Sequence, residues 1–300
     1  MRKSLFLYNI STRYFPWIYR VMPETLYLRF VYRIKVQRKL NLDNPSRYNE
    51  KLQWLKLNDH NPDYTQMVDK YRVRGYIKQK IGEQYLIPLI GVWNDPDEIE
   101  FDKLPNQFVL KCNHDSQGIV ICKDKSSLDI ESAVRKLKKA LKRNFYYLTK
   151  EWPYKNVSPC IIAEKYMEDS SGELKDYKVL CFNGIPKLIE VHSGRFKGKH
   201  TQDIFDQNWD KTNIHQTKVG IPNSDMPEAR PSVLEEMLRL SSVLSEGIPH
   251  VRIDWYVIEN RLYFGEITFF DASGFDDFEP DEWNDVLGDW IDLKNVVRRR

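Results

Sequence analysis

Apolar residues follow two rhythms along this chain. Up to about residue 82 they recur at helical spacing; beyond it they gather into short runs bounded by polar turns. Pro23 and Glu24 suit a helix start, and Tyr27, Phe30, Val31 and Ile34 form the stripe that follows. Residues 48–82 stay helical, with Leu52, Leu55 and Lys56 on one face, Met67, Val68, Tyr71 and Ile77 on another, and a break at Asn61-Pro62. Residues 86–93 read as a short strand. Strands follow at 108–112, 119–122 and 159–167, with a basic helix over 127–143 that Ser127 or Asp129 would cap. Asn183-Gly184 between apolar runs predicts a hairpin of 176–182 and 185–191, and Pro186 argues that its strand lies near an edge. An amphipathic helix over 231–245 turns Leu234, Met237, Leu238 and Leu244 inward. The last hairpin joins apolar runs around Asp254 and Glu266 through Ile258-Glu259-Asn260.

Asp254 and Glu266 are the most informative residues in that pattern. An ionised carboxylate in an apolar strand is costly unless a partner offsets it. A three-residue loop ending on Asn260 would put both acids on one face, whereas a strict two-residue loop would send them to opposite faces. Beside Arg252, two acids on one face form a site for a hard cation such as Mg²⁺. An internal bridge from Arg252 to the carboxylates is the alternative.

The 300 residues allow two domains or one large one with a lid, and 41% hydrophobic with 30% charged residues fits a folded soluble protein. A net charge of +3 does not imply nucleic acid. Cys112, Cys122, Cys160 and Cys181 form no CxxC pair and no zinc spacing, so buried free thiols in a reducing cytosol are expected. The sequence has no apolar stretch of bilayer length and no secretory signal at its start, so a cytoplasmic location is expected. The first forty residues are basic, with Arg2, Lys3, Arg13, Arg20, Arg29, Arg33, Lys35, Arg38 and Lys39 against Glu24 alone, and are dense in aromatics such as Phe6, Tyr8, Tyr14, Phe15 and Trp17. Such a segment either lies on an anionic membrane surface or packs on the main body with its cations in water.

Lys111 and Lys178 each sit within an apolar strand. A lysine beside the polar loop 113–118 suits phosphate, as a point charge with bendable loop amides around it, but an edge-strand lysine that discourages aggregation has the same signature. The loop carrying His192, Arg195, Lys197, Lys199 and His200 either receives an anionic substrate or is a solvated surface.

Taken in chain order, Lys111 with its polar loop, Glu164-Lys165-Tyr166-Met167, Lys178, Arg252-x-Asp254 and Gly265-Glu266-x-Thr268 resemble the TupA-like branch of the ATP-grasp superfamily. Further resemblance lies in 45–55, Asp69-Lys70, 104–114 and 264–269, so it spans about residues 44–290. The resemblance implies an α+β fold. Two α+β subdomains, at 106–168 (lid) and 169–300 (core, with the metal site), would clasp ATP behind a mostly helical region at 1–105.

It also implies roles. Lys111 and Lys178 would touch ATP phosphates, and Asn113, His114, Ser116 and Gly118 would belong to the lid loop over them. Glu164, Lys165 and Met167 would form the hinge holding adenine. Asp254 and Glu266 would bind Mg²⁺, and Arg252 would steady the transferring phosphoryl group. Thr268 stands where many relatives of this superfamily have Asn, which leaves a second metal open. The implied reaction is ATP-dependent carboxylate–amine ligation through an acyl phosphate, joining an amino acid or amine to a carboxylate-bearing saccharide or peptide of a bacterial surface polysaccharide. His192 and Arg195, or else Lys70 and Arg74, would hold the acid. The rivals are a glycosyltransferase, for which Asp95-Pro96-Asp97 is formally a DxD, and a non-catalytic ATP- or carbohydrate-binding module.

Overall fold

The computed structural model describes residues 16–294 and 296, apart from 170, 171, 173, 195–197, 199, 218 and 219. Arg2, Lys3, Phe6, Tyr8, Arg13, Tyr14, Phe15, Arg195, Lys197 and Lys199 of the sequence analysis therefore lie outside the described residues, as does the side chain of Trp17.

Five helices come first: α1 (Pro16–Val21), α2 (Glu24–Lys35), α3 (Tyr48–Asn58), α4 (Asp63–Val68) and α5 (Val73–Lys80). α2 buries Tyr27, Leu28, Val31 and Tyr32 against Tyr19, Val36, Leu40 and Phe275. Its inward stripe is thus rotated from the expected one. Phe30 is 45% exposed because the consecutive pairs 27–28 and 31–32 centre the buried face between them. α3 starts at a capping box in which the Glu50 carboxylate accepts from the amides of Ser46 and Arg47 at 3.1 and 3.3 Å.

The first sheet holds β1 (Leu89–Trp93), β2 (Phe108–Cys112), β3 (Ile119–Cys122) and β4 (Ile161–Lys165), antiparallel throughout, in the order β1-β4-β2-β3. Strand alternation sorts β2: Phe108, Leu110 and Cys112 are buried in one cluster with Leu137 and Ala140 of α6 (Ile130–Leu141), while Val109 and Lys111 take the opposite face. Asp129 caps α6, accepting from the Ser132 amide at 2.9 Å. A boundary after residue 105 cuts this sheet. β1 already pairs with β4, so strand pairing carries the unit back to Leu89. α7 (Tyr146–Thr149) lies between α6 and β4 in the chain.

The second sheet runs β10-β9-β5-β6-β7, built from β5 (Asp176–Phe182), β6 (Ile185–Ser193), β7 (Thr201–Asp206), β9 (His250–Ile258) and β10 (Arg261–Thr268). β8 (His215–Gln216) pairs with β11 (Phe278–Glu279), and α8 (Leu234–Ser245) and α9 (Glu282–Asp289) complete the described α-helices and strands. Val179, Cys181, Ile189, Val191, Val251, Ile253 and Trp255 alternate onto one face and form the main core with Leu234, Met237, Leu240 and Leu244 of α8. Leu240 is buried where Leu238 was expected; Leu238 is only partly buried. Pro186 precedes the stretch of β6 that pairs with β7, which begins at Leu188, so it disturbs no ladder on that side. β7 itself was unforeseen, because it follows directly on what reads as a charged loop.

The hairpin of β9 and β10 differs from expectation in an informative way. Its turn is two residues, Glu259 and Asn260, with φ of 50° and 59°. Alone, that turn would put Asp254 and Glu266 on opposite faces. A bulge between Phe264 and Glu266 reverses this: Phe264 pairs with Trp255, but Glu266 pairs with Asp254. Gly265 makes the bulge possible, since a Cβ there would meet the Asp254 carbonyl oxygen at 3.0 Å and the Asp254 Cβ at 3.3 Å.

Candidate functional site

The polar residues gather on the sheet face turned away from α8. Across adjacent strands Glu266, Asp254, Lys178 and Glu190 are direct neighbours in register. Two residues along the strands lie Arg252 and Thr268 on one side, and Tyr256, Asp176 and His192 on the other. The Arg252 row turns apolar at Leu180 and Leu188, and the intervening residues point into the core.

Arg252 ties the cluster together. Its Nε and Nη2 meet the two Asp254 carboxylate oxygens at 2.7 and 2.8 Å, and its Nη1 donates to Asp271. Nη2 also lies 3.2 Å from Glu266 Oε1 and 3.3 Å from Thr268 Oγ1. Lys178 donates to Asp254 Oδ2 at 2.7 Å, and Lys70 stands 3.5 Å from Glu266 Oε2. Burial opposes the charge on Asp254, yet Arg252 and Lys178 outweigh it and hold that carboxyl below its ordinary value. At Glu266 burial is likewise outweighed, first by Lys70, and at Asp271 first by Arg252. Glu190 behaves differently. Burial, with Asp271 nearby, pushes it up to about 8. Three cations, Lys70, Lys178 and Arg252, already balance three ionised acids; a fourth negative charge has no counterpart there.

Asp271 is aimed by a strained turn. Ala272, Ser273 and Gly274 after it all have left-handed φ, 44°, 56° and 63°. For the two non-glycines this costs on the order of 1–3 kcal/mol each. α3 supports the turn from below: Gln53 donates to the Gly274 carbonyl at 2.6 Å, and Lys56 to the Ser273 carbonyl at 2.8 Å and its hydroxyl at 3.0 Å. Burial lowers the Lys56 amine to about 7, despite the neighbouring Glu151.

Three larger cavities and a small one lie along these rows. The first, about 460 Å³, is mostly apolar and lies between the sheets, lined by Val109, Lys111, Ile119, Ile121, Lys123, Glu164, Lys165, Tyr166, Met167 and Tyr256. A small cavity of about 10 Å³ is lined by Lys70, Arg74, Lys111, Glu164 and Gly265 among others. A cavity of about 320 Å³ lies between the 113–118 loop and Arg252, Glu266 and Thr268. A third, about 510 Å³, opens on the other side of Arg252 among Lys178, Glu190, His192, His200, Gln216 and Asp271.

The expected site residues are placed unevenly among these. Glu164, Lys165 and Met167 line the apolar cavity, as does Lys111, whose amine bonds Glu164 at 2.8 Å. The Lys165 amide donates to the Pro88 carbonyl at 3.0 Å and is thereby occupied. His114, Ser116, Thr268 and Lys70 line the 320 Å³ cavity. Asn113 does not; it is fully buried, donating to the Ser158 carbonyl at 2.9 Å and accepting from the Cys160 amide at 2.8 Å, and so anchors the root of the loop. Gly118 also serves packing, since a Cβ there would meet Ala140 Cβ at 2.7 Å and Cys112 Sγ at 2.8 Å. Arg74 is held away from the larger cavities by Glu164 at 3.1 Å and the Ile87 carbonyl at 2.9 Å. His192 borders the 510 Å³ cavity, with Nδ1 3.1 Å from His200 Nε2. Asp95 caps a short turn, accepting from the Asp97 amide at 3.0 Å, and Asp97 pairs with Lys138.

Sequence reasoning missed Asp271, Glu190, Gln216 and Lys123. Glu190 had a signal: it stands two residues before His192 in a hairpin whose other strand carries Lys178. Asp271 had only its nearness to Thr268. Gln216 comes from a two-residue strand that no pattern marks.

The donor set suits a hard cation. Asp254, Glu266 and Thr268 offer oxygen only, and among the described residues no group of three or more His, Cys, Asp or Glu is placed to hold a metal unaided. These residues would supply oxygen ligands of the kind Mg²⁺ prefers.

The family model described as TupA-like ATPgrasp matches residues 50–292. No curated protein matches the chain. Among solved structures, the chain is similar to the D-alanine–D-alanine ligase of Bacillus anthracis complexed with ATP (14% identity, 75% of this chain and 57% of that one, TM-score 0.38). It is also similar to that of Helicobacter pylori (15%, 82% and 70%, 0.42) and to the biotin carboxylase domain of Hydrogenobacter thermophilus 2-oxoglutarate carboxylase with MgADP (17%, 68% and 40%, 0.39). This chain thus spans little more than half the length of the Bacillus anthracis ligase. From the family match over most of its length, the chain belongs to the TupA-like ATP-grasp family.

Proposed function

We propose that this protein is an ATP-dependent carboxylate–amine ligase that works through an acyl phosphate. The observation that carries the reading is the register row Glu266–Asp254–Lys178 with Arg252 beside it, on the sheet face whose Tyr256 lines an apolar cavity of nucleotide size. Adenine would lie in the 460 Å³ cavity against the hinge, served by the Lys165 carbonyl and the Met167 amide. Lys111 and Lys178 would face the phosphates, with His114 and Ser116 over them. Asp254 and Glu266 would hold Mg²⁺, with Thr268 reaching it or its water. Held by these residues, the ion would supply positive charge to offset that of the phosphates.

The chain's own groups do the rest. Arg252 is preorganised by Asp254 and Asp271 and needs no reorientation as charge develops on the transferring phosphoryl group. Lys70 supplies a counter-charge for an acid arriving through the 320 Å³ cavity, since two anions meet only with a cation between them. The 113–118 loop excludes water from a hydrolysable intermediate. The acid would be a carboxylate-bearing saccharide such as a uronic acid, and the amine an amino acid, in making a bacterial surface polysaccharide. The glycosyltransferase reading loses its support, because Asp95 is a turn cap and Asp97 is held by Lys138.

The setting we propose is cytoplasmic and peripheral to a membrane. No helix among the described residues is long and apolar enough to cross one. α2 packs on the body, yet Leu26 and Phe30 stay exposed beside Arg29 and Arg33, a face suited to anionic lipid. Measuring ADP release across uronic acids and amines tests the proposal. Mg²⁺-dependent ADP requiring both an acid and an amine supports it; a nucleoside diphosphate released from a sugar donor instead would sink it.

A further inference from the structure

The 510 Å³ cavity beyond Arg252 shares Lys178 and Arg252 with the nucleotide site proposed above, and it contains a carboxylate with a different character from the rest. Glu190 is 1% exposed, yet it is not gripped by Arg252 or Lys178, as Asp254 is. The hydrogen bond it receives comes from Gln216 Nε2, at 3.1 Å on Oε1. Its Oε2 has His192 Nε2 at 3.8 Å, beyond hydrogen-bond length. Gln216 Nε2 also donates to Asp271 Oδ2 at 2.8 Å, so one amide sets the spacing of two acids on the cavity wall. Glu190 is the register neighbour of Lys178, which itself neighbours Asp254. The reacting phosphoryl group and Glu190 would thus lie on opposite sides of one lysine.

We propose that the 510 Å³ cavity receives the amine substrate as a primary ammonium ion, and that Glu190 is the catalytic base that takes its proton. The proposal rests on the ligase reading and names the substrate class and the base of that site. An ammonium nitrogen is not a nucleophile until it loses a proton. In the step, R′NH₃⁺ gives one proton to the Glu190 carboxylate and becomes R′NH₂. Its lone pair attacks the acyl carbon, the C–N bond forms, and the bond from that carbon to the phosphate oxygen breaks with its electron pair. The leaving phosphate takes the second proton and departs as HPO₄²⁻. Charge and atoms balance without a further reactant.

The surroundings suit this work. The charged groups around Glu190 are Lys178 from β5, Arg252 and Asp254 from β9, Asp271 from the strained turn, His192 from its own strand and His200 at the foot of β7. Burial and Asp271 hold the carboxyl up to about 8, close to working pH, where proton acceptance and release are both easy. Asp254 and Asp271, held ionised by Arg252, are poor bases by comparison. The imidazoles of His192 and His200 at the same wall give a carboxylate of an amino acid polar groups to meet.

Two measurements test it. The first is calorimetry of the twenty common L-amino acids and ethanolamine on the wild type and Glu190→Gln, at pH 7 in two buffers of different ionisation heat. The wild type should bind at least one of them and release close to one proton per site, because Glu190 must ionise to meet the ammonium; the variant should bind at least about tenfold more weakly and release none. No binding to the wild type, or equal binding and proton release by both, overturns the proposal. The second is ADP release with MgATP, D-glucuronate and either the best-binding amine or hydroxylamine, whose nitrogen is uncharged at neutral pH. Glu190→Gln should lose about 100-fold or more with the amine, and hydroxylamine should make good most of that loss. The rise of kcat/KM with pH through about 8 should vanish with it. An equal loss with both nucleophiles overturns the base. Glu190-dependent amine binding without ADP release under any acid would leave the ammonium site standing and sink the ligase reading. ADP release by an amine that ignores Glu190→Gln would do the reverse.

Discussion

A carboxyl whose pKa rises on folding destabilises the fold wherever it is ionised in the unfolded chain, and Glu190 makes this measurable. Its ordinary value is 4.5 and in the folded protein it stands at about 8. Below 4.5 the group is protonated in both states and costs nothing. As pH rises from 4.5, the unfolded chain releases the proton and the folded one keeps it, so stability falls by about 1.4 kcal/mol per pH unit. The loss levels off as pH passes the folded value. At pH 7 the sum is roughly 3 kcal/mol, a large share of the 5–15 kcal/mol typical of a domain. Glutamine has the shape of the protonated acid and keeps an oxygen for the Gln216 donor. Glu190→Gln should therefore exceed the wild type by only about 1 kcal/mol near pH 5 and by a margin that widens toward pH 8. Urea midpoints at pH 5, 6, 7 and 8 for both proteins give the comparison. Curves that stay parallel across this range would refute the reasoning, and with it the claim that Glu190 sits protonated among an already balanced set of charges.

Other outcomes follow from the same geometry. Asp254→Asn should lose Mg²⁺-dependent ATP turnover by about 10²–10³ while circular dichroism shows the fold retained, because it removes one carboxylate from the row and leaves the Arg252 contacts to Asp271 and Glu266 in place. Lys111→Ala and Lys178→Ala should each weaken binding of a non-hydrolysable ATP analogue in calorimetry; normal binding and turnover by both would make them strand lysines without a phosphate role. Gly265→Ala should cost about 1–3 kcal/mol in urea unfolding and displace Glu266, since its Cβ would press on the Asp254 carbonyl.

Much of this site was legible in the sequence because strands have a two-residue period. That period put Arg252 beside Asp254 on one face of their strand. The hairpin shows where such reading stops. The placing of Asp254 and Glu266 on one face was expected from a three-residue loop, but it arises from a two-residue turn and a bulge that together restore the same parity. Alternation fixes parity and not the device that achieves it. Long-range neighbours were harder still. Asp271 and Gln216 reach the site through a strained turn and a two-residue strand, whose positions depend on α3 and β11 rather than on local pattern. Asn113 and Gly118 were read as ligand contacts because polar and glycine residues in a loop look alike whether they face a cavity or fasten the loop's root.

The central claim is that this row of charges activates a carboxylate by phosphorylation, and isotope transfer tests it most directly. D-glucuronate labelled with ¹⁸O in its carboxylate would be incubated with MgATP, the protein and an active amine, and the released phosphate analysed by mass. An acyl phosphate hands one carboxylate oxygen to the phosphate when the amine displaces it, so the account predicts phosphate carrying a single ¹⁸O, in step with ADP and amide. Phosphate released without label while amide forms would contradict it.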